Sequence, residues 1–399
     1  MESRTGVCFP QGFKASGINC GIKKEKKDLA IIISDTPCMV AACSTTNRVK
    51  SYSLLWSLKN IKNPIRAILI NSGNANVLWG KDGWQTTCKI MEQFANKLGA
   101  STKEVLFAST GVIGKPLPED KIIGGLDELI SIASPQGGTD AAHAIMTTDS
   151  FPKLIEIETD IPTRRKNSFV RIGAMAKGAG MICPNMATML AFITTDAVIS
   201  KEVLKKMLKS AVEQSFNMIT VDNDQSTNDF VLCMANGLAG NKTIHEKTKE
   251  YEKFYEALLN VCTFLAKKIA ENGEGADRLI EVKVENAWSS KDAKRVAKKI
   301  AGSNLVKAAV SGTWPNWGRI AAAAGSVCAR FDPSKMKIVI GSYTVFDGEP
   351  CEFDETLLRQ ELSKKQVVIK VSLNAGNESA VAWGCNLTEK YVTINMEKE

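Results

Sequence analysis

The sequence predicts a mixed fold of strands and helices, α/β or α+β, on three observations. Strand-like apolar runs and helix-periodic segments are interspersed along the whole chain. The 399 residues are 44% hydrophobic and 24% charged, the ordinary balance of a globular chain with a sizeable core. No internal repeat or low-complexity linker interrupts the pattern, and no apolar run approaches the ~20 residues of a membrane span.

Strands are expected at Leu29–Ser34, Met39–Thr45, Arg66–Asn71 and Val105–Ser109, where apolar and β-branched residues run together. A helix follows around Trp84–Leu98, and a further strand at Met189–Thr194. The clearest helix spans Thr248–Glu271, because Phe254, Leu258, Val261, Leu265 and Ile269 recur at steps of three and four and make one buried face. Ser290–Ile300 reads as another, with Ser290 as cap and Lys294, Arg295, Lys298 and Lys299 facing solvent. The last third is strand-rich, at Lys337–Ile340, Val367–Val371, Ala380–Trp383 and Tyr391–Ile394.

Several function classes are disfavoured. The net charge of +8 suits small anionic substrates, and its basic runs, Lys23–Lys27 and Arg164–Lys166, lack the interleaved aromatics of a nucleic-acid surface and read as solvated loops. Eleven cysteines occur without a Cys-x-x-Cys pair, so zinc spacing is absent and reduced, buried thiols are expected. His143 and His245 stand far apart and read as surface histidines, so no metal is expected. A phosphate loop is excluded at Ser109–Gly114, where Lys115 is followed by Pro116. The Gly178-Ala-Gly180 run is no dinucleotide fingerprint, since Cys183 occupies the third glycine position. Asp222–Asp229 is not a calcium loop, because Thr227 and Cys233 replace the required Gly and Glu; a helix start capped by an aspartate or Ser226 is expected instead.

The most informative stretch is Lys177-Gly-Ala-Gly-Met-Ile-Cys-Pro-Asn-Met-Ala-Thr188, which runs on into an apolar strand. A glycine-rich approach, a small residue at Ala187 and a hydroxyl at Thr188 are what a self-cleaving peptide bond needs. Thr188 Oγ1 must reach back to the Ala187 carbonyl, and small neighbours leave room for the tetrahedral intermediate. Cleavage would free the Thr188 α-amine, which titrates at about 7.7–8 and can serve as base for its own hydroxyl. A lone threonine before an apolar run would otherwise read as a plain strand residue.

This segment resembles the processing site of the ornithine acetyltransferase family, the glutamate N-acetyltransferases of cyclic arginine biosynthesis. The resemblance extends through Gln11-Gly-Phe-Lys14, Thr45–Lys50, Asn71–Asn76, Ser109–Gly114, Ile145–Asp149, Gly273-Glu-Gly-Ala276 and Pro315–Ile320. These motifs lie in order from one end of the chain to the other. The resemblance implies a sandwich of the N-terminal-nucleophile type, built from two intertwined chains: residues 1–187 as the α chain and 188–399 as the β chain. It implies acetyl transfer from N2-acetyl-L-ornithine to L-glutamate through an acetyl-Thr188 ester, with acetyl-CoA left open as a second donor and no other cofactor. It places the oxyanion donors on Thr110 and Gly111, and a substrate role on Thr147 (Thr148 being the alternative by register), Lys177, Glu274 and Asn395.

On the residues alone, Thr110-Gly111 would be a plain turn, Lys177 a solvated lysine and Glu274 an exposed residue after a helix. The chain departs from the family pattern at Cys183, Asn223 and Trp314. It also stops at Glu399, four residues past Asn395, where the family commonly ends five past in Ser or Thr. The N-terminal Met-Glu-Ser-Arg-Thr-Gly-Val-Cys has no apolar signal core, so a cytoplasmic protein is expected; the resemblance implies association with itself as two α and two β chains. The alternative within the same fold is an aminopeptidase or amidase with water as acceptor.

Overall fold

The computed structural model describes residues 5–183 and 189–396. Strands and helices alternate throughout, so the fold is the mixed α/β kind expected. The chain forms two compact units, each assembled from several segments: Met1–Gly178, Asn185–Glu213 and Gln225–Leu265 make the first, and Ala179–Pro184, Gln214–Asp224 and Ala266–Glu399 the second.

The first unit contains β1 (Phe13–Ile18), β2 (Leu29–Ser44), α1 (Tyr52–Asn60), β3 (Ile65–Asn74), α2 (Gly83–Leu98), β4 (Val105–Val112), α3 (Glu119–Ser131), α4 (Gly138–Ala144), β5 (Lys153–Pro162), β6 (Phe169–Lys177), β7 (Leu190–Thr195), α5 (Lys201–Gln214) and β8 (Phe230–Ala235). Its eight-stranded sheet runs β4-β3-β2-β8-β7-β6-β5, with β1 against β2. The continuous apolar runs follow from burial on both faces. Leu29, Ile31, Ala67, Leu69, Val105 and Phe107 pack with Ile90, Met91 and Phe94 of α2 and with Ile122, Leu126 and Leu129 of α3. Their alternating neighbours Ala30, Ile32, Ile68, Ile70, Leu106 and Ala108 belong to a second core with Ala141, Ala142 and Ala144 of α4. The two strands expected at 29–34 and 39–45 are one long strand. β2 pairs with β3 through its first half and with β8 through its second, and the register shifts between Ile33 and Cys38.

Helix α6 (Lys249–Glu271) runs from the first unit into the second. The second unit continues with β9 (Leu279–Ala287), α7 (Ser290–Ala301), α8 (Asn304–Ser311), α9 (Gly318–Gly325), β10 (Lys337–Ile340), β11 (Tyr343–Asp347), α10 (Glu355–Ser363), β12 (Gln366–Ser372), β13 (Glu378–Cys385) and α11 (Glu389–Met396). Its sheet runs β11-β10-β12-β9-β13 and is antiparallel except for the β9–β12 pair.

Four expectations are corrected. Tyr391–Ile394 is helical, inside α11. Here Asn395 and Thr393 bond back onto the carbonyls of Tyr391 and Glu389, four residues earlier, and no residue of the helix is buried as a strand would require. The cap of α7 is Ser289, whose side chain accepts the Asp292 N–H, rather than Ser290. Within that helix Lys298 is half-buried, and desolvation lowers its pKa. Residues 222–229 form a loop that leads into β8, with no helix start. The Ser226 hydroxyl accepts from Asn228 N–H in a local turn. The histidines are exposed, as expected, and none of the eleven cysteines is in a disulfide, five of them being buried.

Candidate functional site

Sheet register in the first unit gathers three of the expected residues at one end of the strands. Lys177 ends β6 and is the register partner of Leu190, the first residue of β7. Leu190 in turn faces Phe230 of β8, which faces Ser44 of β2. Lys177 is no solvated lysine. It is 2% exposed, and its Nζ donates to Thr147 Oγ1 at 2.8 Å and to Thr110 Oγ1 at 3.2 Å. Of the two threonines after α4, the structure thus brings Thr147 to this lysine. Among the described residues its hydrogen-bond partners are these two hydroxyls, and the nearby Asp149 carboxylate senses its charge.

Thr110 is buried near the end of β4, and Gly111 follows with φ +132°. A Cβ on Gly111 would lie 2.3 Å from the Gly73 carbonyl carbon and 2.5 Å from Asn74 N, because Gly73 of the parallel neighbour β3 is its register partner, at an irregularity in the pairing. Only glycine fits there without moving backbone. The Thr-Gly turn therefore has a steric cause, and it sets a hydroxyl beside a backbone amide, as an oxyanion site needs.

Asp149 and Lys153 form a fully enclosed ion pair at 2.6 Å. Asp149 also accepts the Gly178 N–H at 2.7 Å and the Thr147 N–H at 3.1 Å, which fixes both approaches to Lys177. Burial would raise its carboxyl, but Lys177, Lys153 and these bonds outweigh burial and hold it at about 2. Lys23, expected in a solvated basic loop, instead turns inward. Its Nζ donates to the Met146 carbonyl at 2.5 Å and the Lys27 carbonyl at 3.1 Å. Desolvation lowers it to about 8, with Asp28 opposing and Lys177 adding to the shift.

Glu274 and Asn395, in the second unit, are brought to each other: Asn395 Nδ2 donates to Glu274 Oε2 at 2.9 Å. Gly273 and Gly275 flank Glu274 for steric reasons, since a Cβ would meet Cys385 Sγ at 2.5 Å from the first and Tyr391 N at 2.5 Å from the second. The Glu274 carboxylate lies over Gly180, where a Cβ would sit 2.4 Å from its oxygens. The Asp222 carboxylate binds the next turn of chain, accepting the N–H groups of Met181 and Ile182.

Ala187 and Thr188, on which the cleavage and nucleophile expectations fall, lie outside the described residues, as does the C-terminal Glu399. What is described is the chain just after the expected cleavage position: the Met189 N–H donates to Asp229 Oδ1 at 3.0 Å, and β7 begins one residue later. Sequence reasoning missed Asp149 and Lys153, Lys23 and Asp229. Asp149 closed a motif already singled out, but Lys153 lies beyond it at the start of β5 and carried no signal of its own. Lys23 gave none.

The buried Lys177 with its two hydroxyl partners and the Thr110-Gly111 turn together offer a cation and oxyanion donors, which acyl transfer requires. The model of the ArgJ family matches residues 14–398. The arginine biosynthesis bifunctional protein ArgJ of Symbiobacterium thermophilum is 46% identical over 395 residues, covering 98% of this chain and 97% of that protein. The corresponding ArgJ 1 of Clostridium acetobutylicum is 47% identical over 390 residues, covering 96% and 95%. Among solved structures, arginine biosynthesis bifunctional protein ArgJ from Bacillus halodurans is 44% identical over 51% of this chain and 97% of its own, with a TM-score of 0.51. The chain belongs to the ArgJ family, acetyltransferases of arginine biosynthesis.

No group of three or more His, Cys, Asp or Glu side chains among the described residues is placed to hold a metal ion. Nor is any helix among them long and apolar enough to cross a membrane.

Proposed function

We propose that the chain cuts itself between Ala187 and Thr188 and then transfers acetyl from N2-acetyl-L-ornithine to L-glutamate. The observation that carries this reading is the Lys177–Thr110–Thr147 cluster, set by strand register beside the start of β7. Thr188 Oγ1 attacks the acetyl carbonyl and its α-amine, with a pKa of about 7.7–8, takes the proton. The Thr110 hydroxyl and the Gly111 amide stabilise the oxyanion. Ornithine leaves, an acetyl-Thr188 ester remains, and the amine of glutamate attacks it, a two-step exchange with ping-pong kinetics. Lys177 and Thr147 hold the carboxylate common to both substrates, which a buried cation beside a hydroxyl favours. Glu274 and Asn395 receive the ornithine side-chain ammonium.

The sheet order supports a two-chain enzyme that holds together. β7 and β8, after the cut, lie between β2 and β6, before it, so residues 1–187 and 188–399 would share one hydrogen-bonded sheet. The Bacillus halodurans chain, covered at 97% by 51% of this one, has the length of one such product. In this reading two chains of each kind assemble in the cytoplasm, no cofactor is required, and acetyl-CoA is a second acetyl donor to be assayed.

Denaturing mass spectrometry tests the reading. The wild type should give two fragments, the second beginning at Thr188, and Thr188→Ala should give one uncut, inactive chain of about the 43.3 kDa of the full sequence. A cut or active Thr188→Ala protein would refute the nucleophile. Release of acetate regardless of glutamate would mean that water is the acceptor, as in an amidase.

A further inference from the structure

The carboxyl of Asp229, the residue before β8, grips the chain one residue past Thr188. Its Oδ1 accepts the Met189 N–H at 3.0 Å, and the next residue, Phe230, donates its N–H to the Met189 carbonyl at 3.1 Å. The Asp229 carbonyl is itself anchored by the Thr45 N–H at 3.1 Å. Met189 is thus held at both of its peptide groups just before the β7–β8 ladder begins at Leu190 and Phe230. A side-chain carboxyl takes the place a ladder carbonyl would occupy. Asp229 is 0% exposed. Burial raises its pKa well above the usual carboxyl range, against the Met189 amide, the Thr45 and Ser226 hydroxyls and the charge of Lys177. That favours the protonated form, whose carbonyl oxygen still accepts the Met189 N–H.

We propose that Asp229 is a positioning residue for the nucleophile, fixing the carboxyl side of Thr188 through the Met189 amide so that the threonine hydroxyl is aimed during cleavage and during acetyl transfer. The proposal rests on the reading of Thr188 as nucleophile. An asparagine would reproduce a neutral carboxyl in shape and keep an acceptor oxygen for Met189. An alanine would remove that acceptor.

The test follows precursor cleavage by denaturing mass spectrometry after pulsed synthesis of the full chain, then acetyl transfer by the cleaved fraction. Asp229→Ala should slow cleavage about 10²-fold and lower kcat without raising KM, while Asp229→Asn stays within about tenfold of wild type, the scale set by misplacing a reacting group by about 1 Å. If Asp229→Ala loses its cooperative unfolding transition, Asp229→Ser replaces it, because its hydroxyl is one bond too short to reach the Met189 amide. A folded Ala or Ser variant that cuts at the wild-type rate overturns the proposal. So does an Asn variant as slow as Ala, or a loss confined to KM. A wild type that stays uncut overturns this proposal and the Thr188 reading together, whereas equal cutting by wild type and Asp229→Ala overturns this one alone.

Discussion

Lys177 and Leu190 are register partners across β6 and β7, and this pairing sets a buried ammonium beside the strand that begins two residues past Thr188. The rest of the first unit's site is arranged around that lysine: Thr110 and Thr147 accept from it, and Asp149 binds the amide of the next residue.

Lys177→Met should therefore act on substrate affinity. The methionine keeps the buried stem and removes the charge. KM for the acetylated donor and for glutamate should rise about 10- to 100-fold, the worth of one charge-assisted hydrogen bond. Steady-state kinetics with each substrate varied checks this. A fall in kcat alone at unchanged KM would move Lys177 to the chemical step.

Thr110→Val retains shape and loses the hydroxyl. With one oxyanion donor gone, kcat should fall about 10²- to 10³-fold while the fold survives. Thermal unfolding and single-turnover acetylation of Thr188 together test this, and an unchanged acetylation rate would remove Thr110 from the oxyanion site.

Asp149 links the site to acid stability. Its folded-state pKa of about 2 lies below the unfolded value of about 3.9, so its stabilisation is complete above pH ~4 and is lost as pH falls through ~2. The amount is about 2–3 kcal/mol. The stability difference between wild type and Asp149→Asn should shrink by this much between pH 5 and pH 1.5, as denaturant titrations would read. A difference independent of pH would show that the carboxylate is not held ionised.

Gly180→Ala tests Glu274. The new methyl would meet the carboxylate oxygens at 2.4 Å, and because these end a flexible side chain they can swing away at small cost in stability. KM for N2-acetyl-L-ornithine should rise several-fold, on the order of 1 kcal/mol, with the melting temperature nearly unchanged. Unaltered donor kinetics would place the ammonium subsite elsewhere.

Much of this site was legible in the chain because its signals are local. The apolar runs of β3, β4 and β7 and the three-and-four spacing of α6 are properties of ten to twenty consecutive residues. The clashes at Gly111, Gly273 and Gly275 give a steric reason for glycines that marked motifs in the sequence. Tyr391–Ile394 misled because β-branched residues suit a strand only where a neighbouring strand supplies partners. In α11 the side chains of Thr393 and Asn395 bond within their own helix instead.

By itself the sequence determined the mixed fold class, the glycine-rich approach to Thr188 and, through its resemblance, the acetyl-transfer chemistry. Only the tertiary structure decided that Lys177 is buried, that Thr147 is its partner, that Lys23 leaves its basic run to bond the Met146 carbonyl, and that Asp229 holds Met189. These contacts join residues 30 to 123 positions apart. Strand order and register, which the packing of whole sheet faces selects, bring such residues together, and no short window of sequence encodes that choice.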